Sequence, residues 1–293
     1  MPVCRHTLMK HKYMADLVQL QNIATQVRRD IIRMTSAAQS GHPGGSMSSA
    51  DFFTALYFEI LRHDPTNFDI KGDGQDMLFL SNGNCWPVGS IVLARIGYFP
   101  VSELATFRKR GSNLQVHPTN NHTRGVRVAS GSLGQGLSVA CGAALAKKMK
   151  NDPFLVYSFH GDGELQEGQI WEAAMFAAAK KIDNLISTVD WNNQQIDGTV
   201  EHVLSLGDLA GKWRAFGWEV LEMQGHDMED ILRVVNEAKS LTGKGKPIVI
   251  LMKTSMGRGV DFMCDTNEWH GKVTNKEQTE CALSQLTETL GDH

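Results

Sequence analysis

No stretch of this 293-residue chain approaches the roughly 20 consecutive apolar residues that a membrane-crossing helix requires, which argues against a helical membrane protein. Cysteine is scarce and scattered. Cys4, Cys85, Cys141, Cys264 and Cys281 are odd in number and hold no pair at close metal-ligand spacing. That pattern fits reduced thiols in a cytoplasmic protein and not a disulfide framework. An excess of charge of one sign is missing too: the net charge of −3 speaks against a general nucleic-acid or membrane surface. The start of the chain is basic but lacks the apolar core and small-residue site of a signal peptide, so residues 1–15 are expected to form a flexible arm. Internal repeats and low-complexity linkers are also absent, and residues 16–290 are therefore expected to make one domain. With 42% hydrophobic and 21% charged residues, that domain has ample material for a core.

The most informative stretch runs from His160 to Gly198. Phe154 to Phe159 is an aromatic and β-branched run that reads as a buried strand. Gly161-Asp162-Gly163-Glu164 follows as an acidic glycine turn. Trp171, Ala174, Met175 and Ala178 then recur at helical spacing, Leu185 to Val189 reads as a second strand, and Asp190-Trp191-Asn192-Asn193 closes the unit. In a parallel sheet both turns leave the carboxyl ends of their strands, where open α/β sheets bind ligands. The Asp162 carboxylate and the Asn192 amide oxygen are hard donors suited to magnesium or calcium. Gly161 and Gly163 leave room for a bulky anion beside such an ion.

Elsewhere the chain alternates helix and strand. A helix is predicted over Asp16 to Ala38, stopping at Ser40-Gly41-His42-Pro43-Gly44-Gly45, with a second helix starting near Ser48 or Ser49. His63, at the end of that helix, reads as a residue favoured by the helix dipole. Met77 to Leu80 is a short strand leading into Ser81-Asn82-Gly83-Asn84. Ser130-Gly131-Ser132-Leu133-Gly134 places a flexible turn before a small-residue helix, able to bring backbone amides against a ring or an anion. Beyond Leu206 the order is helix, strand, helix, strand, with a last amphipathic helix over residues 275–290. This alternation predicts a three-layer α/β fold: a mostly parallel, doubly wound sheet with helices on both faces.

The Gly-Asp-Gly turn, its spacer and the asparagine pair resemble the diphosphate-binding motif of thiamine diphosphate enzymes. Ser-Gly-His-Pro-Gly-Gly-Ser around His42, Leu-Arg-His-Asp-Pro ending at Pro65, the Val116-His117-Pro118 motif, the 130–137 glycine loop and Trp269-His270-Gly271 together resemble the opening portion of transketolase. The resemblance covers about Asp16 to Leu290 and corresponds to the first, diphosphate-binding part of a full transketolase, a PP-type domain. It departs at Asn84, where the family has a histidine, and at Val116, where glycine is usual. An asparagine can still donate an amide hydrogen bond but cannot carry a charge.

The resemblance implies the following roles. Asp162, Asn192 and the backbone carbonyl of Gln194 hold Mg2+, with Ca2+ or Mn2+ as substitutes. Asn84, Gly131, Ser132, Leu133, Gly161, Gly163, Glu164, Glu167, Asn192 and His270 contact thiamine diphosphate. His42, His117 and His270 bind sugar hydroxyls and move protons. It also implies transfer of a two-carbon ketol unit from a ketose phosphate to an aldose phosphate. A separate subunit would carry the pyrimidine and C-terminal domains, in a heterotetramer of two chains each, and most of the basic residues for the substrate phosphate are expected there. Another thiamine diphosphate enzyme subunit (a 2-oxoacid dehydrogenase α or deoxyxylulose phosphate synthase type) and a non-catalytic cofactor-binding subunit remain as alternatives.

Overall fold

Residues 17–293 are described by a computed structural model of the chain, and the expected arm at 1–15 lies outside them. The strands are β1 (Met77–Leu80), β2 (Val156–Gly161), β3 (Leu185–Trp191), the short β4 (Gln194–Gln195) and β5 (Gly198–Thr199), β6 (Glu219–Gln224) and β7 (Ile248–Lys253). Five of them form one parallel sheet in the order β1-β2-β3-β7-β6, while β4 and β5 pair as a small antiparallel ribbon. The helices are α1 (Leu17–Ala38), α2 (Pro43–Ser48), α3 (Ala50–Ala55), α4 (Trp86–Arg95), α5 (Gly136–Met149), α6 (Gly168–Ala179), α7 (Val200–Leu204), α8 (Leu209–Ala215), α9 (Met228–Leu241) and α10 (Lys276–Gln285).

The sheet divides two apolar cores, and side chains of one strand alternate between them. Ile248, Ile250 and Met252 of β7 enter the core beneath α1, α3, α4 and α9, whereas Val249 and Leu251 enter the core beneath α5, α6 and α8. Covered on both faces, the central strands read as continuous apolar runs. In the first core Phe159 stacks on Phe52 at 5.4 Å and meets Phe53 edge-on at 4.8 Å, locking β2 against α3. In the second, Trp213 lies 4.8 Å from Trp218 and 5.2 Å from Trp171.

Three local expectations differ from the structure. The helix expected near Ser48 or Ser49 is present as α3, with Ser49 as its N-cap, but the turn before it is not irregular: a further short helix, α2, begins at Pro43 with His42 as its N-cap. Proline suits the first helical position, where its missing N–H would have no partner and its φ is already helical. The last helix is shorter than predicted. It stops at Gln285, and the chain beyond packs on α1, where Asp292 pairs with Arg29 at 2.7 Å and Gln26 accepts the backbone N–H of Thr289 at 2.9 Å. His63 is no dipole-favoured cation. It stacks on Tyr98 at 5.7 Å between that hydroxyl and the Tyr57 carbonyl, and burial lowers its pKa. None of the described helices is long and apolar enough to cross a membrane.

Phe159 is fully buried and holds the strand that carries Asp162. Replacing it with alanine is expected to lower unfolding free energy by about 3–5 kcal/mol in a denaturant titration; a loss below about 1 kcal/mol would mean the stacked cluster contributes little.

Candidate functional site

The carboxyl ends of β1, β2, β3 and β7 open on one side of the sheet, and the loops leaving them enclose a cleft of about 390 Å³. The parallel register sets its floor. Gly161 pairs with Asp190, and the Asp162 N–H donates to the Asp190 carbonyl at 3.2 Å, so the acidic turn and the amide turn emerge side by side. Asp162 is nearly inaccessible, and its carboxylate accepts the N–H of Gly163 at 2.8 Å and of Asn193 at 2.5 Å. Burial, with the Asp190 charge next in importance, pushes its pKa up to about 8. A carboxylate so placed lacks a positive partner among the described residues, which is what a bound cation would supply.

Asp190 escapes sequence reasoning, although a carboxylate at the end of an apolar strand signals a need for partners. It receives the Ser48 hydroxyl at 2.6 Å, the Asn192 amide N–H at 2.9 Å and the Thr254 hydroxyl. Burial raises its pKa. These bonds fix the Asn192 amide: its nitrogen faces Asp190 and its oxygen faces the backbone N–H of Gln194 at 2.9 Å, leaving that oxygen a second lone pair.

Glu164 also lines the cleft, yet its oxygens are occupied by protein. They accept the Ser81 hydroxyl, the Gly134 N–H at 2.8 Å and the Gly161 N–H at 3.2 Å. Burial alone would raise its pKa; His160, Ser81 and the Gly134 amide outweigh burial and lower it. Its geometry is that of a clamp between loops. Glu167 is exposed, at the mouth, with its Cβ against Gly134.

The cleft wall is built for something other than side chains. A Cβ added at Gly161 would project into it, its nearest neighbour being Asn82 Nδ2 at 3.7 Å. Asn82 Oδ1, Asn84 Oδ1, His42 Nδ1 and His270 Nδ1 are buried with no partner. Unpaired buried polar atoms are costly, and their concentration on one wall suits a polar ligand. His42 and His270 meet edge-on at 5.6 Å, and His117 packs on Gly131, whose φ of +128° and 2.7 Å clearance admit no side chain. Burial lowers the pKa of all three histidines, His42 to about 4, with His270, Arg108 and His117 adding to the effect there.

The loop that carries His270 is anchored twice. At its root, the Ser255 N–H donates to His226 Nε2 at 2.8 Å. His226 Nδ1 meets Asp51 at 3.0 Å, and Asp51 pairs with Arg28. That bond fixes the imidazole proton on Nδ1. Two residues on, the Gly257 N–H donates to the Gly44 carbonyl at 3.1 Å, and at the far end a Cβ on Gly44 would come within 2.7 Å of the Trp269 carbonyl.

Of the residues singled out from sequence, His42, Asn84, His117, Gly131, Leu133, Gly161, Asp162, Gly163, Glu164, Glu167, Asn192, Gln194 and His270 line this one cleft. Ser132 does not: it lies in a neighbouring groove with Ser130 and Val139. Asn82, Asp190, Gln195 and Met256 join the cleft without having been singled out.

Residues 20–289 match the family described as transketolase, thiamine diphosphate binding domain. The chain is 39% identical over 269 residues to the 6-deoxy-6-sulfo-D-fructose transketolase subunit SqwG of a Clostridium species, covering 92% of this chain and 96% of that protein. It is 38% identical to an apulose-4-phosphate transketolase subunit from Phocaeicola vulgatus, covering 90% of this chain and 92% of that protein. Against the solved structure of transketolase from Campylobacter jejuni the TM-score is 0.85 at 31% identity, with 93% of this chain covered but only 43% of that one. The chain thus spans nearly all of the subunit relatives and less than half of the single-chain structures.

His42 sets a pH dependence. Its native pKa of about 4 lies below the ordinary 6.5, so between those values the unfolded chain binds more protons and acidification costs stability. The midpoint of thermal unfolding is expected to fall between pH 6.5 and pH 4.5, and His42→Gln to remove part of that fall; an NMR titration placing the His42 midpoint above 6 would contradict the assignment.

Proposed function

The chain belongs to the transketolase thiamine diphosphate-binding domain family, and we propose that it is the subunit holding the diphosphate end of that cofactor in a two-subunit transketolase. The observation that carries this reading is the convergence, in one cleft at the carboxyl edge of the sheet, of an oxygen-donor set, a wall open to an anion and three neutral histidines. Asp162, the Asn192 amide oxygen and the Gln194 carbonyl are the donors for a divalent metal, and as hard oxygens they suit Mg2+, with Ca2+ or Mn2+ as substitutes. The elevated Asp162 pKa supports a cation there. Asn82 and Asn84 offer amide groups to a diphosphate, and the bare Gly161 lets it approach the strand end.

Thiamine diphosphate, when bound, supplies the carbon that accepts and hands on a two-carbon unit. The protein's part is placement. Donors held on rigid strand ends fix the diphosphate, and with it the reactive end of the cofactor. His42, His117 and His270, kept uncharged by burial, can each accept or donate a hydrogen bond to a sugar hydroxyl and take up a proton at a free ring nitrogen. Their contiguity, His42 edge-on to His270, suits several hydroxyls of one substrate. The partner would be a chain bearing the pyrimidine and C-terminal domains, and the substrates ketose and aldose phosphates. The subunit names carried by the relatives of matching length support this division.

A second reading, a cofactor-binding subunit without turnover, draws on Asn84, whose buried oxygen has no partner and which stands where the resemblance to transketolases implies a histidine. Both readings require the metal site. In the reconstituted complex, Asp162→Ala is expected to abolish magnesium-dependent thiamine diphosphate binding measured by calorimetry, and unchanged affinity would remove the metal assignment. Ketol transfer from xylulose 5-phosphate, measured on the same complex, separates the readings: turnover supports the catalytic one and binding without turnover the other.

A further inference from the structure

Two of the donors assigned to the metal, Asn192 and Gln194, lie on one short piece of chain. Asn192 follows the end of β3 at Trp191 and Gln194 opens β4, so a single residue separates the ligand side chain from the ligand carbonyl. That residue, Asn193, is exposed and puts no side chain into the cleft wall. Its backbone nevertheless meets every part of the donor set. The Asn193 N–H donates to the Asp162 carboxylate at 2.5 Å, and its peptide bonds lead to Asn192 on one side and Gln194 on the other. The Gln194 N–H donates back to Asn192 Oδ1 at 2.9 Å, which closes a turn with Asn193 at its tip.

Closing that turn takes an unusual backbone. Asn193 has a φ of +58°, in the left-handed region where a Cβ crowds the following carbonyl oxygen. Asparagine enters this region more readily than most residues, because its short polar side chain can bond locally. It does so here. Asn193 Oδ1 accepts the Glu201 N–H at 3.2 Å, and the Asn193 carbonyl accepts the Val200 N–H at 3.1 Å, both at the start of α7. The ribbon that follows is slight: β4 and β5 pair through two residues each, so this segment can open locally while the sheet stays intact.

We propose that Asn193 is a positioning residue for the metal: its left-handed backbone holds the Asn192 and Gln194 donors beside Asp162, although it supplies no ligand of its own. The inference rests on the proposed metal and diphosphate site and names the residue that shapes it. A residue unable to keep this φ would let the ribbon relax. Both donors would then shift together, and Asp162 would lose one of its two backbone amides. Affinity for the metal and diphosphate should therefore follow tolerance of a positive φ at position 193. In that order glycine outranks alanine and alanine outranks a β-branched residue, whereas within a helix or strand alanine outranks glycine.

The test uses the reconstituted complex, with calorimetric binding of magnesium thiamine diphosphate and thermal unfolding of each variant without ligand. Asn193→Gly is expected to stay within about threefold of the wild-type affinity, since glycine adopts the conformation freely and only the side-chain bond is lost. Asn193→Ala is expected to weaken binding by about five- to thirtyfold, the cost of one left-handed residue, and Asn193→Val by more. Equal losses in the glycine and alanine variants would overturn the proposal, because the bond to α7 and not the backbone would then be what matters. A lower unfolding temperature in Asn193→Ala with unchanged affinity would overturn it as well, leaving a turn that serves the fold alone. If the wild-type complex binds no magnesium thiamine diphosphate, the metal site fails and the proposal with it. Binding by the wild type with a flat series of variants sinks the proposal and spares the site.

Discussion

Everything at the ligand-facing edge of this protein hangs on how one buried carboxylate is satisfied. Glu164 collects a hydroxyl from the residue after β1, an amide from the last residue of β2 and an amide from the loop before α5. These three segments are far apart in sequence and would otherwise be free ends. A charge taken out of water is tolerated only when such donors surround it, so the bonds are obligatory in a way that surface contacts are not. The Ser81 hydroxyl is used on both sides, giving its proton to Glu164 and receiving the Gly136 N–H at 3.0 Å. Withdrawing any member leaves a buried donor or acceptor without its partner, which costs more than the bond itself contributes.

The second acidic pair shows a different solution. Asp162 and Asp190 stand on adjacent strands, and the register that aligns them cannot be slipped without turning both strands inside out. Asp190 is surrounded by donors and so can remain within the fold by itself. Asp162 has only two backbone amides and faces the cleft. The fold thus sorts two chemically identical groups into a structural one and one left wanting a counter-ion, through nothing more than the number of donors each receives.

Much of this is legible in the sequence because it is local. Periodicity locates the sheet strands and the longer helices, and a strand–turn–helix–strand unit places Asp162 and Asn192 at neighbouring strand ends whatever the rest of the chain does. What escapes detection is long-range. Nothing near Asp190 announces Ser48, 142 residues away. Glu164 in sequence is one more acid in a glycine turn, and only the folded chain shows its oxygens spent on loops. The short helix α2 at Pro43 is missed when glycine and proline are both taken for breakers, because proline at a first turn is an initiator. Ser132 differs by one step of a loop whose neighbours Gly131 and Leu133 do face the cleft.

The contact between Gly44 and the Trp269 carbonyl has a mechanical consequence. The Trp269 carbonyl and the Met256 side chain both press on Gly44 there, and the Gly257 N–H bonds the Gly44 carbonyl beside them. His42 caps the helix on one side of this joint and His270 follows directly on the other. Any side chain at position 44 would push the 256–271 segment outward and carry His270 away from His42, so the spacing of the two imidazoles depends on a residue that carries no chemistry itself.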